Sequence, residues 1–417
     1  VAQAGGVGSG DEHGVSAGRS TWTTLAAVAG AATALRLLLL LLPFDFAGPD
    51  SSNYWDMASG LVSGEGLVDP QASTARPPGY PVFLASCFLL AGGPSALAAR
   101  IGQALLGGLC ALFVYWGVEP RHGPRAALLG AAVVACDPIA AGQSPFLLRE
   151  ALLMALVGGV WVAILRLRGR ARVATCGVLL AALALTHPLY LLLGPILAGV
   201  DLLARGKRAL LPWVAIGLVV AVGVGAWCMR NAQVTGRFAL NPVASTVPAH
   251  ELWLTSACPN LWLSGDPATG FQAQAWAEER ELLRTQGVDG TKRELYRRAA
   301  ENWVEHPLRS LGRLLRQNVW YWLEIPGAIK LVEHPRLYWV RWGLVAFLWV
   351  RLTAVLAALA WAWRHARYAH RFELALLAFF AFAPALLYPI PRYLAPASPL
   401  LDALAAIAIA RSRGWTR

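Results

Sequence analysis

The sequence predicts an all-α polytopic membrane protein, with about ten transmembrane helices and further helices lying in the outer interface. Three observations predict it. The chain is 57% hydrophobic and only 14% charged, against about 25% charged residues in a soluble domain. Apolar runs near the ~20 residues that a bilayer requires recur along its length. The short basic clusters between those runs all fall on one side when the runs are taken as spans.

The same clusters decide what the net charge of +12 means. A nucleic-acid partner needs a continuous basic face, and here the arginines are divided among short loops, so no nucleic acid is expected. The eight histidines are scattered, with no close pair of the kind a zinc site places on one helix, so no protein metal cage is indicated. Cys110, Cys136, Cys176 and Cys228 lie in apolar segments, Cys87 in an interfacial one and Cys258 in a polar loop, which gives no disulfide framework.

Taken in order, Val1 to Ser20 is Gly- and Ser-rich and reads as a disordered cytoplasmic N-terminus. The run Leu25 to Leu42 is longer than a signal-peptide core and ends in Pro43-Phe44-Asp45-Phe46. It reads as a retained span. Spans are predicted at 22–43, 96–118, 125–141, 147–166, 173–186, 188–204, 209–229, 338–363, 372–389 and 393–410. The two that meet at Thr186-His187-Pro188 are short, and form a hairpin or a broken helix. Four regions follow: 1–20; a membrane module 21–229 with an outer loop at 44–95; an outer loop domain 230–337; and C-terminal spans and a basic tail at 338–417.

Orientation follows from the arginines. With a cytoplasmic N-terminus, the inner loops hold Arg121 and Arg125, then Arg166 to Arg172, then Arg205 to Arg208, then Arg364 to Arg371, and the tail adds Arg411, Arg413 and Arg417. Both termini are then cytoplasmic and the long loops lie outside the cell membrane. In the first loop, Tyr80 to Leu90 is apolar but too short to span, and reads as an interfacial helix. In the second, the chain looks helical from Gln272 onward. There Leu311, Leu314, Leu315, Val319 and Trp322 share one helix face, and Arg309, Arg313 and Arg316 lie elsewhere. Such a helix could approach lipid phosphates or pack on the membrane for structural reasons alone. No internal repeat is visible, which disfavours an inverted-repeat transporter.

The candidate chemistry gathers at the outer span ends. Asp50 follows the first span, where a carboxylate can act as general base on an acceptor hydroxyl or amine. It reads equally as the cap of a short helix carrying Tyr54. Arg76 is held stiffly by Pro77-Pro78, ahead of Gly79-Tyr80-Pro81. It suits bidentate contact with a phosphate, or snorkelling at the interface. Glu150 opens a span, where an unpaired carboxylate is expensive, although Arg149 is beside it for an ion pair. His187, Arg230 and Arg392 also fall at outer span ends.

These motifs, in this order, resemble the C-type superfamily of membrane glycosyltransferases. The likeness is nearest the protein O-mannosyltransferase (glycosyltransferase family 39) and lipid A aminoarabinose transferase group. It rests on Asp50 with Tyr54, Arg76-Pro77-Pro78-Gly79-Tyr80-Pro81, Glu150, Thr186-His187-Pro188, Trp227-x-x-Arg230-Asn231 with Gly236, His306-Pro307 and Arg392-Tyr393-x-x-Pro396. The resemblance implies a polyprenyl-phosphate-linked sugar donor, Asp50 as catalytic base, Arg76 on the donor phosphate, Glu150 as a second acid and Arg392 facing the donor.

There are departures. Ser51 stands where many relatives carry a second acid, His187 stands where many have arginine, and no carbohydrate-binding domain is recognisable in the outer loop. The donor sugar, the acceptor and a divalent metal therefore stay open; some members of the superfamily use a metal. The expected function is inverting sugar transfer at the outer face, with membrane lipids and an acceptor in the envelope as partners. A transporter of lipid-linked sugars and a non-catalytic scaffold are the alternatives.

Overall fold

A computed structural model describes residues 12–41, 50–67, 76–242, 246–257, 271–323, 338–365, 370–387 and 391–415. Among them the chain forms helices, turns and short 3-10 segments, so the expected all-α polytopic architecture is present. Among the described residues six helical runs are long and apolar enough to cross a membrane. The first, α1 (Glu12–Leu39), starts ahead of the predicted boundary. Residues 12–20, expected to be disordered, continue it as helix, because extending an existing helix costs far less than nucleating one.

Two of the runs turn back on themselves. α4 (Ala96–Cys136) carries Pro120 and Pro124 around Gly123, whose φ of 82° and ψ of 169° break the helix. A Cβ placed on Gly130 would sit 2.9 Å from Val114 Cγ1, so the two arms lie side by side. In the other run, α8 (Leu193–Arg205) and α9 (Leu210–Thr235) meet at Gly206 with φ 59°, and Trp213 Nε1 donates to Asp201 Oδ2 across the bend at 2.9 Å.

A further pair of sequence neighbours packs as a hairpin. α6 (Glu150–Arg166) and α7 (Gly169–Thr186) approach closely at Gly159, where an added Cβ would lie 3.2 Å from Leu179. α7 ends at His187, whose extended backbone is what a residue preceding proline favours. The 3-10 turn Pro188–Leu192 then separates α7 from α8, and α7 packs instead along α9, where a Cβ on Gly177 would lie 2.6 Å from Val219 Cβ. α13 (Tyr338–His365), α14 (Arg371–Leu387) and α15 (Ser398–Ser412) complete the bundle.

Among the charged groups buried in it, four meet at the end of α4. Arg36 is fully buried and donates to the carbonyls of Ala32, Ala135 and Val134 at 2.8, 3.2 and 3.3 Å. Arg351 Nε meets Asp402 Oδ1 at 3.0 Å, its Nη1 meets Asp137 Oδ2 at 3.4 Å and its Nη2 donates to Ser398 O. Charges at such depth persist only when paired, so this network ties α1, α13 and α15 to the end of α4.

On the face where α1 ends, α2 (Ser51–Ser63) and α3 (Gly79–Leu90) lie across the bundle. Tyr54, Met57 and Ala58 form the buried stripe of α2, and Tyr80, Leu84 and Phe88 that of α3. Val82, Leu89 and Leu90 remain exposed, as an interfacial helix requires. α10 (Val247–Ala257), α11 (Phe271–Glu305) and α12 (Pro307–Leu323) form a small unit around Trp253, Leu254, Leu295 and Ala299. Of the predicted amphipathic face on α12, Leu311 and Leu315 are exposed and Leu314 is half-buried. The side chains of Val319 and Trp322 lie outside the described residues.

Candidate active site

Asp50 is the residue before α2 and its side chain makes no capping bond there. Instead Oδ1 accepts from Arg76 Nη2 at 2.6 Å. The helix-cap role that the sequence allowed for Asp50 is therefore not what its carboxylate does. The side chains are 13% and 28% exposed respectively, so a ligand can reach both.

The pair rests on a second layer. The Tyr54 and Tyr80 rings meet edge to face at 4.9 Å, and Trp55 packs on Phe88 at 4.8 Å, so α2 and α3 are locked together. The Tyr80 hydroxyl donates to Gln103 Oε1 at 2.7 Å. Gln103 Nε2 in turn donates to the carbonyls of Ser144 and Phe146 at 2.7 and 2.8 Å. Arg100 donates to Pro145 O at 2.9 Å and Ser51 Oγ to Leu147 O at 3.1 Å. The segment leading into α6 is thus clamped from α2 and α4. Arg149, the residue before α6, donates to the Tyr54 hydroxyl at 2.9 Å. Both tyrosines are fully enclosed; burial pushes the Tyr54 hydroxyl above its ordinary pKa, and Tyr80 well above. They remain neutral, as supports beneath the site.

Glu150 opens α6 and is buried. It lines a small cavity with His187, Tyr190 and Pro396, which brings three of the predicted motifs to one place. His187 Nδ1 accepts from Leu189 N at 3.1 Å, which fixes the ring over the turn. Gly79 is what lets the arginine-proline motif dock here. A Cβ at that position would lie 2.8 Å from the Leu185 carbonyl oxygen and would collide with Thr186 Oγ1.

Arg230 is placed differently. Its Nη2 donates to Leu67 O at 2.9 Å and its guanidinium lies 4.9 Å from the Trp227 ring centroid, so it braces the end of the segment after α2. Asn231 beside it donates to the carbonyls of Ala239 and Leu240. The Arg392 side chain lies outside the described residues. Arg100 and Gln103 were not singled out from the sequence. The signal was present, since an arginine and an amide inside an apolar span need a reason.

Among the described residues no three His, Cys, Asp or Glu side chains gather as a metal site would need. At this face Asp50 is engaged by Arg76, and Glu150 sits in a separate small cavity.

No family model matches the chain, and no curated protein matches it. Solved structures do. The oligosaccharyltransferase AglB from Archaeoglobus fulgidus, in complex with an inhibitory peptide and a dolichol-phosphate, superposes with a TM-score of 0.56 at 14% identity, covering 94% of this chain and 50% of that one. The apo form of the Archaeoglobus fulgidus oligosaccharyltransferase gives 0.57 at 15%, covering 94% and 51%. The chain shares their fold. At this identity nothing finer follows, and the chain spans about half the length of those proteins. ArnT from Cupriavidus metallidurans, bound to undecaprenyl phosphate, overlaps at a TM-score of only 0.45, too loose to argue from.

Proposed function

We propose that the protein is a membrane glycosyltransferase of the C-type superfamily that transfers a sugar from a polyprenyl-phosphate donor to an envelope acceptor. The Asp50–Arg76 pair carries this reading: a candidate base and a candidate phosphate ligand meet at 2.6 Å on one membrane edge. AglB, whose fold the chain shares, is seen in complex with a dolichol-phosphate, which supports a lipid-phosphate donor here.

In the resting pair, Arg76 holds Asp50 ionised but engaged. The donor phosphate competes for the guanidinium, which forks naturally onto phosphate oxygens. Asp50 is thereby released as its partner is taken. It removes the proton from the acceptor hydroxyl or amine as that atom attacks the anomeric carbon. The bond from carbon to phosphate oxygen breaks, the polyprenyl phosphate leaves with the electron pair against Arg76, and the anomeric configuration inverts. Glu150 and His187 border the sugar or acceptor. An apolar groove of about 570 Å³ along α7, α8 and α9 accommodates the lipid tail, and Tyr190 lines both that groove and the Glu150 cavity.

The reading includes ten membrane crossings, cytoplasmic termini and an active site on the outer face of the cell membrane. It follows the arginine clusters at Arg121, Arg168, Arg205 and Arg371, which gather at the face opposite Asp50. Turnover tests it: full-length protein is given polyprenyl-phosphate sugars and an envelope extract, and release of polyprenyl phosphate is measured with and without Asp50→Asn. Lipid movement across vesicles by a protein that releases no polyprenyl phosphate would favour transport instead.

A further inference from the structure

At the face opposite Asp50 a cavity of about 500 Å³ is lined by Arg121, Arg168, Arg172, Arg205 and Arg371. They come from the bend of α4, the link into α7, α7 itself, and the ends of α8 and α14. Two buried carboxylates answer them. Asp201 takes Arg172 at 3.4 Å, Arg371 at 3.1 Å and Arg205, and also the indole N–H of Trp213. Glu373 takes Arg121 at 2.6 Å.

Five guanidiniums against two carboxylates leave a formal excess of three positive charges. A carboxylate has about four acceptor sites, so Asp201 has no capacity to neutralise more. Holding such an excess around one cavity costs self-repulsion, which an anion would offset. The first turns of α7 and α14 also reach the cavity, and Arg168 at the α7 start makes no capping bond, so the positive ends of two helices add to the field. The carbonyls at the end of α6 oppose this, but Arg168 donates to Leu165 O and Leu167 O at 3.3 and 3.2 Å and offsets them.

We propose that this cavity binds a phosphate group, and that the phosphate belongs to an anionic lipid headgroup in the leaflet on this face. Ile164, Leu165 and Phe372 in the same wall give the apolar contact that the glycerol and upper acyl chain of a lipid require. Free phosphate shares the chemistry but has no use for that wall. The site is separate from the Asp50 face and shares no residue with it.

The test uses the full chain in phosphatidylcholine nanodiscs, with and without phosphatidylglycerol, and in phosphatidylcholine with added inorganic phosphate. Arg168→Gln is compared with Arg170→Gln, which alters an exposed arginine two residues on, outside the cavity lining. Native mass spectrometry counts retained anionic lipid, and thermal melting reads stabilisation. Arg168→Gln should weaken phosphatidylglycerol retention about five-fold, while Arg170→Gln leaves it unchanged. Stabilisation by inorganic phosphate alone, sensitive to Arg168→Gln, would overturn the lipid source and keep the phosphate site. Equal behaviour of the two variants, or no response to either anion, would overturn the site. Melting in plain phosphatidylcholine confirms that each variant is folded.

Discussion

Asp50 Oδ1 and Arg76 Nη2 lie 2.6 Å apart, and the contact joins the start of α2 to the turn that begins α3. It exists because the aromatic seam of Tyr54, Tyr80, Trp55 and Phe88 holds those two helices in one register. The proposed chemistry therefore depends on a packing interface as much as on the two charges.

Arg76→Gln removes the phosphate ligand and leaves Asp50 without its guanidinium. The expected loss in kcat/KM for the donor is about 10²–10³-fold, the range seen when one stabilising donor is deleted from a reacting oxyanion's surroundings. Arg76→Lys keeps the charge but not the planar fork, and should fall between the two. Steady-state kinetics with varied donor checks the order.

Gly79→Ala places a methyl group 2.8 Å from the Leu185 carbonyl oxygen, a backbone atom that cannot swing away. The expected cost is about 1–3 kcal/mol, read as a lower melting temperature together with reduced turnover, because the Arg76 turn is displaced. Gly199→Ala, where an added Cβ meets nothing within 4 Å, serves as the control and should not lower stability.

Arg351→Met strips the shared partner from Asp137 and Asp402, both fully buried. Removing one member of such a network costs about 3–5 kcal/mol. Adding Asp402→Leu should recover part of the loss, since one uncompensated carboxylate is then gone. Thermal melting of the single and double variants in one detergent reports both effects.

Much of the fold was legible. Apolar runs of span length, proline breaks and basic clusters define the hairpins, and Tyr80, Leu84 and Phe88 mark α3 by their spacing. Asp50, Arg76, Glu150 and His187 were readable as groups on one face, but their contacts were not. The sequence predicts Asp50 and Arg76 at one membrane edge; only the docking of α2 on α3 makes them touch. Arg230 shows the converse, since it shares the face yet holds Leu67 O. The Arg36, Asp137, Arg351 and Asp402 network was missed because each charge is isolated in its own apolar run and becomes meaningful only when four distant segments are assembled.

Alkaline pH should destabilise the Asp50 face through Tyr54. Burial raises its pKa in the folded state, despite the opposing pull of Arg149. Its contribution is complete below about pH 10, the unfolded value, and is lost as pH rises through the folded value. Tyr54→Phe removes that ionisation and should flatten the fall in melting temperature above about pH 10. At neutral pH it should cost about 1–3 kcal/mol, because Arg149 loses the acceptor it reaches at 2.9 Å.

The most direct measurement is single-turnover release of polyprenyl phosphate by wild type and by Asp50→Asn. Asparagine keeps an oxygen that can accept from Arg76 but cannot take a proton from the acceptor. The account predicts that release falls about 10²–10⁴-fold, the usual contribution of a general base, with donor affinity maintained or raised, because the neutral amide competes less for Arg76. Equal release by the two proteins would contradict the assignment of Asp50 as the base.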